Sequence, residues 1–234
     1  MKIALVGYGK MGKEIEGIAI SQGHNIVAKL EEKPTKENIK DAEVAIEFST
    51  PNSAYENVKA CIEIGIPVVC GTTAWLDKLE DIKKLCKKEN GAFIYASNYS
   101  LGVNLFFEIN KRVAEIMQKY PEYLIHMEEI HHTEKKDAPS GTAITLAEEI
   151  IPIYKFDGWK LSYKTENNKL GIEAKRVPNV PGTHKVSYDS DVDKIEIKHI
   201  AHSRKGFASG ALIAAQWLIG KKGVFTMKDV LGFK

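Results

Sequence analysis

The segment Lys2–Gly23, KIALVGYGKMGKEIEGIAISQG, constrains the fold more than any other part of this 234-residue chain. A short apolar strand from Lys2 to Val6 runs into Gly7, Gly9 and Gly12, and a helical pattern follows with Ile15, Ile18 and Ala19 on its inward face. The three glycines differ in role. Gly7 permits the tight turn, Gly9 lets the backbone approach a pyrophosphate, and Gly12 lets the helix pack close to the strand. Tyr8, Lys10 and Met11 stand between these glycines in the expected cofactor cradle. A second strand, Asn25 to Leu30, ends at Glu31, nineteen residues beyond Gly12, where an acid accepts hydrogen bonds from the adenosine ribose. The competing reading is a glycine-rich turn that binds nothing; strand, helix and acid in register weigh against it. Glu31 and Glu32 repel a 2′-phosphate, so NADH is expected over NADPH, with Lys33 moderating that preference.

Strands and helices go on alternating, which predicts a parallel sheet with helical crossovers. Val44–Phe48 reads as a buried strand, Ser49-Thr50-Pro51 opens a helix through Ala54, Val58 and Ile62, and Pro67–Cys70 is the next strand. A helix carrying Leu76, Leu79, Ile82 and Leu85 precedes the strand Ala92–Ala96. In such sheets ligands bind at the carboxyl ends of strands, so Ser49, Gly71, Thr72, Thr73, Ala96, Ser97, Asn98 and Tyr99 are expected beside the nicotinamide. Polar loops after strands are ordinary one at a time; their shared location gives them meaning.

Beyond residue 103 the texture changes. Leu105, Phe106, Ile109, Val113, Ile116, Met117 and Tyr120 form an amphipathic helix stopped by Pro121, and strands then come in runs. Leu161–Lys164 and Gly171–Val177 read as strands, and His184–Asp189 with Lys194–Ala201 as a hairpin. Phe207–Leu218 is an Ala-rich helix expected to return to the first sheet. The predicted fold class is α/β: a discontinuous Rossmann-type nucleotide domain, 1–103 completed by 205–234, plus a smaller α+β substrate-binding and oligomerisation domain, 104–204. A sheet with few covering helices suggests burial of its open face against another subunit, with solvent exposure as the plain alternative.

Within the second domain, EEIHHTEKKDAPSGTA from Glu128 to Ala143 holds two imidazoles, a lysine and a helix start. The strand Leu124–Ile130 leaves His131 and His132 at its end with opposite-facing side chains. Ser140 suits a helix N-cap, and Ile144, Ala147, Ile150 and Ile151 recur at helical spacing. Backbone donors of Gly141 and Thr142, the Ser140 and Thr142 hydroxyls and the Lys135 ammonium would together hold a carboxylate or phosphate. A capped polar loop accounts for the serine and glycine without ligand, though not for His-His-x-x-Lys. No third ligand sits at zinc-like spacing, so no metal is expected.

Composition excludes several classes. A net charge of +2 without a basic, aromatic-interleaved stripe argues against nucleic acid, and no apolar run reaches membrane-spanning length. The apolar residues after Lys2 run straight into the glycine loop, so no secretory leader is expected. Cys61, Cys70 and Cys86 are odd in number and lack a C-x-x-C pair, which fits reduced thiols in the cytoplasm.

Taken together, GYGKMG, EFSTP at Glu47–Pro51, GTT at Gly71–Thr73, ASNYSLGVN at Ala96–Asn104, HHTEKKDAPSGTA at His131–Ala143, PGTH at Pro181–His184 and HIAHSRKGFASGA at His199–Ala211 resemble the dihydrodipicolinate (4-hydroxy-tetrahydrodipicolinate) reductase family of lysine and diaminopimelate synthesis. The resemblance runs nearly end to end. It implies hydride transfer from NADH or NADPH to a cyclic unsaturated dicarboxylate, and a homo-oligomer, a tetramer by family likeness. It also implies His131 as proton donor or acceptor, Lys135 as a proton donor that counters substrate charge, and His132 as a substrate contact beside Ser140, Gly141 and Thr142. The chain is shorter than common members between Glu31 and Val44, Glu47 stands where Asp is usual, Tyr99 where Phe is frequent, and Glu32 where some members carry a basic residue. RVPNVP at Arg176–Pro181 departs from the family pattern, so no substrate role is placed on Arg176; for Arg204, surface pairing and substrate binding both stand open. Two other functions compete. One is a different Rossmann dehydrogenase acting on an amino-acid-derived carbonyl, which would need only one acid; the other is a non-catalytic NADH sensor, which would tolerate loss of Lys135.

Overall fold

Alternate residues of one central strand feed two separate cores. In β1, Lys2–Val6, the side chains of Ile3 and Leu5 enter one apolar cluster and those of Ala4 and Val6 enter another. A strand buried on both faces needs helices on both, as parallel sheets require. The computed structural model describes residues 1–39, 41–203 and 205–233 and divides the chain into two compact units, Met1–Leu101 with Lys205–Lys234, and Gly102–Arg204.

The first unit continues with α1 (Lys10–Ser21), β2 (Asn25–Leu30), β3 (Val44–Glu47), α2 (Pro51–Ile64) and β4 (Val68–Cys70), then a short 3-10 turn, α3 (Leu79–Lys88) and β5 (Ala92–Tyr95). The second unit comprises α4 (Leu101–Met117), β6 (Leu124–His131), α5 (Gly141–Tyr154), β7 (Gly158–Leu161), β8 (Lys169–Arg176), β9 (Thr183–Asp189) and β10 (Lys194–Ile200). The chain then returns through α6 (Lys205–Leu218), β11 (Gly223–Phe225) and α7 (Met227–Leu231). Among the described residues no helix is long and apolar enough to cross a membrane.

The first sheet has the order β11-β5-β4-β3-β1-β2, and every pair is parallel. Since β2 and β3 lie on opposite sides of β1, strand order reverses there, which opens a crevice at the carboxyl ends of β1 and β3. Among the described residues of the 31–43 connection from β2 to β3 there is no helix. Ile39 and Ala42 of this connection are buried with Ala4, Val6 and Val58, and Thr35 and Asn38 exchange backbone-to-side-chain hydrogen bonds of 2.7 and 3.2 Å that close the turn. Two apolar side chains thus plug the surface that a crossover helix would cover.

Three elements differ from the sequence expectation. The strand β7 lies at Gly158–Leu161 rather than 161–164, because Thr165 Oγ1 donates to the Ile125 carbonyl and accepts from Gly171 N, tying 162–168 into a loop. The helix α4 starts at Leu101 and ends at Met117, short of Tyr120; of its apolar positions Phe106 and Met117 go inward while Leu105, Ile109 and Ile116 stay exposed. The three-residue strand β11, too short to show a period, extends the first sheet by pairing Val224 with Phe93.

The second sheet has the order β10-β9-β6-β8-β7, antiparallel among β10, β9 and β6 and parallel from β6 to β7. One face carries Ile125, Met127, Ile172, Val186 and Tyr188, packed with α4 and α5 residues. The other face is a lattice of charges: Lys175 pairs with Glu128 and Glu173, and Lys185 with Glu128 and Glu196.

Ile39→Ala removes an apolar plug that is 1% exposed, so a loss of about 2–5 kcal/mol in unfolding free energy is expected from denaturant titration followed by circular dichroism.

Candidate active site

The glycine loop shows how sterics select its residues. Gly7 has φ +90°, and a Cβ on it would stand 2.2 Å from the Phe48 carbonyl oxygen, so the turn crosses directly over the end of β3. A Cβ on Gly12 would meet the Gly7 carbonyl at 2.5 Å. Gly9, the N-cap of α1, has nothing within 4 Å of where a Cβ would stand, and no side chain caps the helix. Two glycines are therefore needed for packing and one leaves an open helix start of the kind that receives a pyrophosphate.

Gly9, Lys10, Met11, Phe48, Ser49, Pro51, Gly71, Thr72 and Thr73 line a hollow of about 450 Å³ at the ends of β1, β3 and β4. Beneath it lies Glu47, fully buried at the end of β3. Its carboxylate accepts from Ser49 Oγ, from Ser49 N at 3.2 Å and from Cys70 Sγ at 3.0 Å, while Ser49 N also donates to Thr72 Oγ1 at 2.8 Å. Burial, with the negative charge of Glu47 adding to it, pushes the Cys70 thiol well above its ordinary range, so the sulfur stays a protonated donor.

Other residues of the expected cofactor set lie elsewhere. Tyr99 is 1% exposed; its hydroxyl donates to the Cys70 carbonyl at 2.7 Å, and a Cβ on Gly210 of α6 would stand 1.7 Å from its carbonyl oxygen. It is a core pillar against which α6 packs. Ala96 is half-buried, Ser97 is exposed and Asn98 Oδ1 accepts from Ser100 N at 2.9 Å; none of the three lines the hollow. Tyr8 donates its hydroxyl to Glu16 and carries the Lys29 ammonium 4.9 Å from its ring centroid. Glu31 is exposed directly after β2, and Gly7 N donates to the Leu30 carbonyl at 2.8 Å, which sets the acid beside the glycine turn. Lys33 is paired with Glu56 at 2.8 Å, and Asn38 donates to Glu32 at 3.3 Å.

In the second unit the strand parity of β6 puts Glu129 and His131 on one face. Glu129 is completely buried and binds twice: one oxygen takes His131 Nδ1 and the other accepts from Arg176 Nη1 at 2.9 Å. Burial alone would raise this carboxyl, but its bonds to His131 and Arg176 bring it down to about 2. His184 of β9 meets the His131 ring with centroids 5.0 Å apart, and its Nε2 is 3.1 Å from Ser140 Oγ. Burial, reinforced by His131, lowers His184 to about 3, so it is neutral at ordinary pH. Ser140 caps α5 by accepting from Ala143 N at 3.2 Å, and an added Cβ on Gly141 would meet nothing within 4 Å, leaving the helix start open. Thr142 follows, half-buried. The Lys135 ammonium is 2.8 Å from Asp137, whose carboxyl, raised by burial, is lowered on balance by that lysine. His132 lines a separate hollow of about 330 Å³ with Asn179 and Pro181.

Glu129, His131 and His184 each bring one ligand-type atom within 4.8 Å of one another, a grouping that chain spacing does not reveal. The Arg176 guanidinium already balances the carboxylate, so the cluster needs no cation. Glu129, Arg176 and His184 are the residues that sequence reasoning passed over. For Glu129 a signal existed, its i, i+2 spacing to His131; for Arg176 and His184 only the β6–β8 and β6–β9 ladders supply the proximity. Arg204 lies outside the described residues.

A switch-point glycine crevice on a parallel sheet, with an imidazole–lysine site carried on a second unit, defines a nicotinamide-dinucleotide oxidoreductase class. The family model for "Dihydrodipicolinate reductase, N-terminus" matches residues 1–99, and that for "Dihydrodipicolinate reductase, C-terminus" matches 102–231. The chain belongs to the dihydrodipicolinate reductase family. The 4-hydroxy-tetrahydrodipicolinate reductase of Christiangramia forsetii is 52% identical over 99% of this chain and 98% of that protein. The one from Archaeoglobus fulgidus is 32% identical over 99% of this chain and 100% of its own. The solved structure of dipicolinate-bound dihydrodipicolinate reductase from Paenisporosarcina sp. TG-14 has the same fold, with a TM-score of 0.75 at 20% identity over 97% of each chain.

Because the Glu129 carboxyl is depressed from 4.5 to about 2, its contribution to stability is complete above pH 4.5 and is lost as pH falls towards 2. Urea midpoints measured across that window should fall more steeply for the wild type than for Glu129→Gln, which has no such proton to take up.

Proposed function

We propose that the His131–Lys135 segment reduces a cyclic unsaturated dicarboxylate with NADH as the preferred reductant. The reductase function in lysine biosynthesis follows from family membership and from the relatives. The finer assignments rest on one observation above all: His131, backed by buried Glu129, and the Lys135 loop are tied together by Arg176 in the unit that also presents the open start of α5. The Paenisporosarcina relative holds dipicolinate, a planar dicarboxylate, which supports the same ligand chemistry here.

When bound, the dinucleotide supplies the hydride. The chain's own residues do the rest. Lys135 meets one substrate carboxylate, Gly141 and Thr142 at the helix start receive the other with Ser140 holding that start, and His132 adds a contact. A proton from His131 or Lys135 completes the reduction once the hydride has added to the ring. The hollow at Gly9, Lys10, Met11, Ser49 and Gly71–Thr73 holds the dinucleotide, so residues 1–103 with 205–234 form the dinucleotide-binding domain and 104–204 the substrate-binding and oligomerisation domain. Preference for NADH rests on exposed Glu31 and Glu32, and on Lys33 being held by Glu56 instead of facing a 2′-phosphate.

The assembly is a homotetramer working in the cytoplasm, where Cys61, Cys70 and Cys86 stay reduced; all three are free and buried. The open sheet face offers charges already paired with one another, while the exposed stripe Leu105, Ile109 and Ile116 on α4 offers apolar area. Light scattering should return four times the 26.1 kDa chain mass; a monomer mass would overturn the assembly.

Lys135→Ala should lower kcat/KM by about 10²–10⁴ in the NADH oxidation assay at 340 nm, with NADH affinity intact. Full activity would remove the assigned role. NADH should give the higher kcat/KM, and Glu56→Ala, by releasing Lys33, should narrow the preference by no more than about fivefold, the limit for an exposed ion pair.

A further inference from the structure

Arg176 is the last residue of β8 and stands opposite His131 in the β6–β8 ladder. Its guanidinium makes four hydrogen bonds. Nη1 donates to Glu129 Oε1 at 2.9 Å and to the Lys175 carbonyl at 2.7 Å, Nη2 donates to the Asp137 carbonyl at 2.6 Å, and Nε donates to the Lys135 carbonyl at 3.3 Å. One rigid planar group therefore grips the carboxylate beneath His131 and, on its other edge, the backbone of the loop that carries Lys135. A lysine at this position would keep the charge and lose the fork.

Resting on the assignment of His131 and Lys135 as the proton-handling pair, we propose that Arg176 is the positioning residue for both, acting on His131 through Glu129 and on Lys135 through the carbonyls of its loop. The carboxylate faces Nδ1 of His131 and so holds the proton there, which makes Nε2 the ring atom that exchanges a proton. Gly182 keeps the Nε2 side clear, since a Cβ on it would stand 3.0 Å from that atom. The titratable groups facing His131 are Glu129 on its own strand and His184 from β9; Arg176 from β8 holds the other oxygen of Glu129, and Lys135, on the following loop, is paired with Asp137. His184 is uncharged at working pH, so Glu129, itself held by Arg176, is the charge in direct contact with the His131 ring.

Steady-state kinetics, with NADH affinity measured alongside, test the assignment in the whole 234-residue chain. Glu129→Gln should lower kcat by about tenfold or more with KM for the dicarboxylate little changed, because the His131 ring loses the carboxylate that orients it. Arg176→Lys keeps a cation beside Glu129 and should hold kcat within about twofold, but it releases the Lys135 loop and should raise KM for the dicarboxylate by about tenfold. Arg176→Ala should show both effects, and added guanidinium ion should partly restore kcat. NADH affinity should stay unchanged in all three. Wild-type kcat and KM in both Glu129→Gln and Arg176→Lys would overturn the proposal. So would kcat and NADH affinity falling together in these variants, since that is the signature of a merely structural residue. A fully active Lys135→Ala protein would instead remove the underlying assignment, and the proposal with it, whatever the Arg176 variants do.

Discussion

A carboxylate taken wholly out of water must be compensated, and breaking such a pair on one side costs about 3–5 kcal/mol. Glu129 meets this condition with His131 on one oxygen and Arg176 on the other, and the geometry of the second unit follows from it. The two partners come from the ends of neighbouring parallel strands, so the pairing fixes where β6 and β8 stop in relation to one another. The Arg176 donors left over then reach the loop of Lys135. A charge that stabilises little by itself thus sets the positions of the chemically active groups.

The first unit uses the same device. Glu47, also fully buried and also near the end of its strand, gathers Ser49, the Cys70 thiol and, through Ser49, the Thr72 hydroxyl. These loops line the hollow above it. In each unit a buried glutamate converts the ragged polar end of a strand into a fixed wall, and the polar atoms facing a ligand inherit that rigidity. The remaining work on the cofactor side is steric. Gly7, Gly12 and Gly71 stand where a Cβ would strike the backbone at Phe48, the Gly7 carbonyl or the Phe48 ring, so close approach among β1, α1 and the ends of β3 and β4 depends on missing side chains.

Apolar periodicity and charge part company on the surface of the second unit. Runs of strands suggest a sheet with a naked face seeking a partner, yet that face carries lysines and glutamates that neutralise each other across strands. One exposed apolar stripe lies on α4, where Leu105 and Ile109 flank inward Phe106 and Phe107. Side chains of similar hydropathy on one helix are told apart by which neighbours surround it, and composition is silent on that.

Local order was legible in the sequence because it rests on short-range physics. The glycine spacing, the strand–helix alternation, the Ser140 cap and the His-His-x-x-Lys segment each depend on residues within a turn or two, and each stands where sequence places it. The steric roles of Gly7 and Gly12 were legible for the same reason. Only tertiary structure decided which distant residues complete the sites. Arg176 lies 47 residues from Glu129 and His184 lies 44 from Ser140, joined by ladder registers that no local pattern encodes. It also decided that Tyr99, polar and in a strand-end loop, is a core pillar, because its ring packs edge-on against Phe48, its hydroxyl finds the Cys70 carbonyl and its own backbone carbonyl sits against Gly210. Sequence determines what a residue can do chemically; the fold determines what it meets.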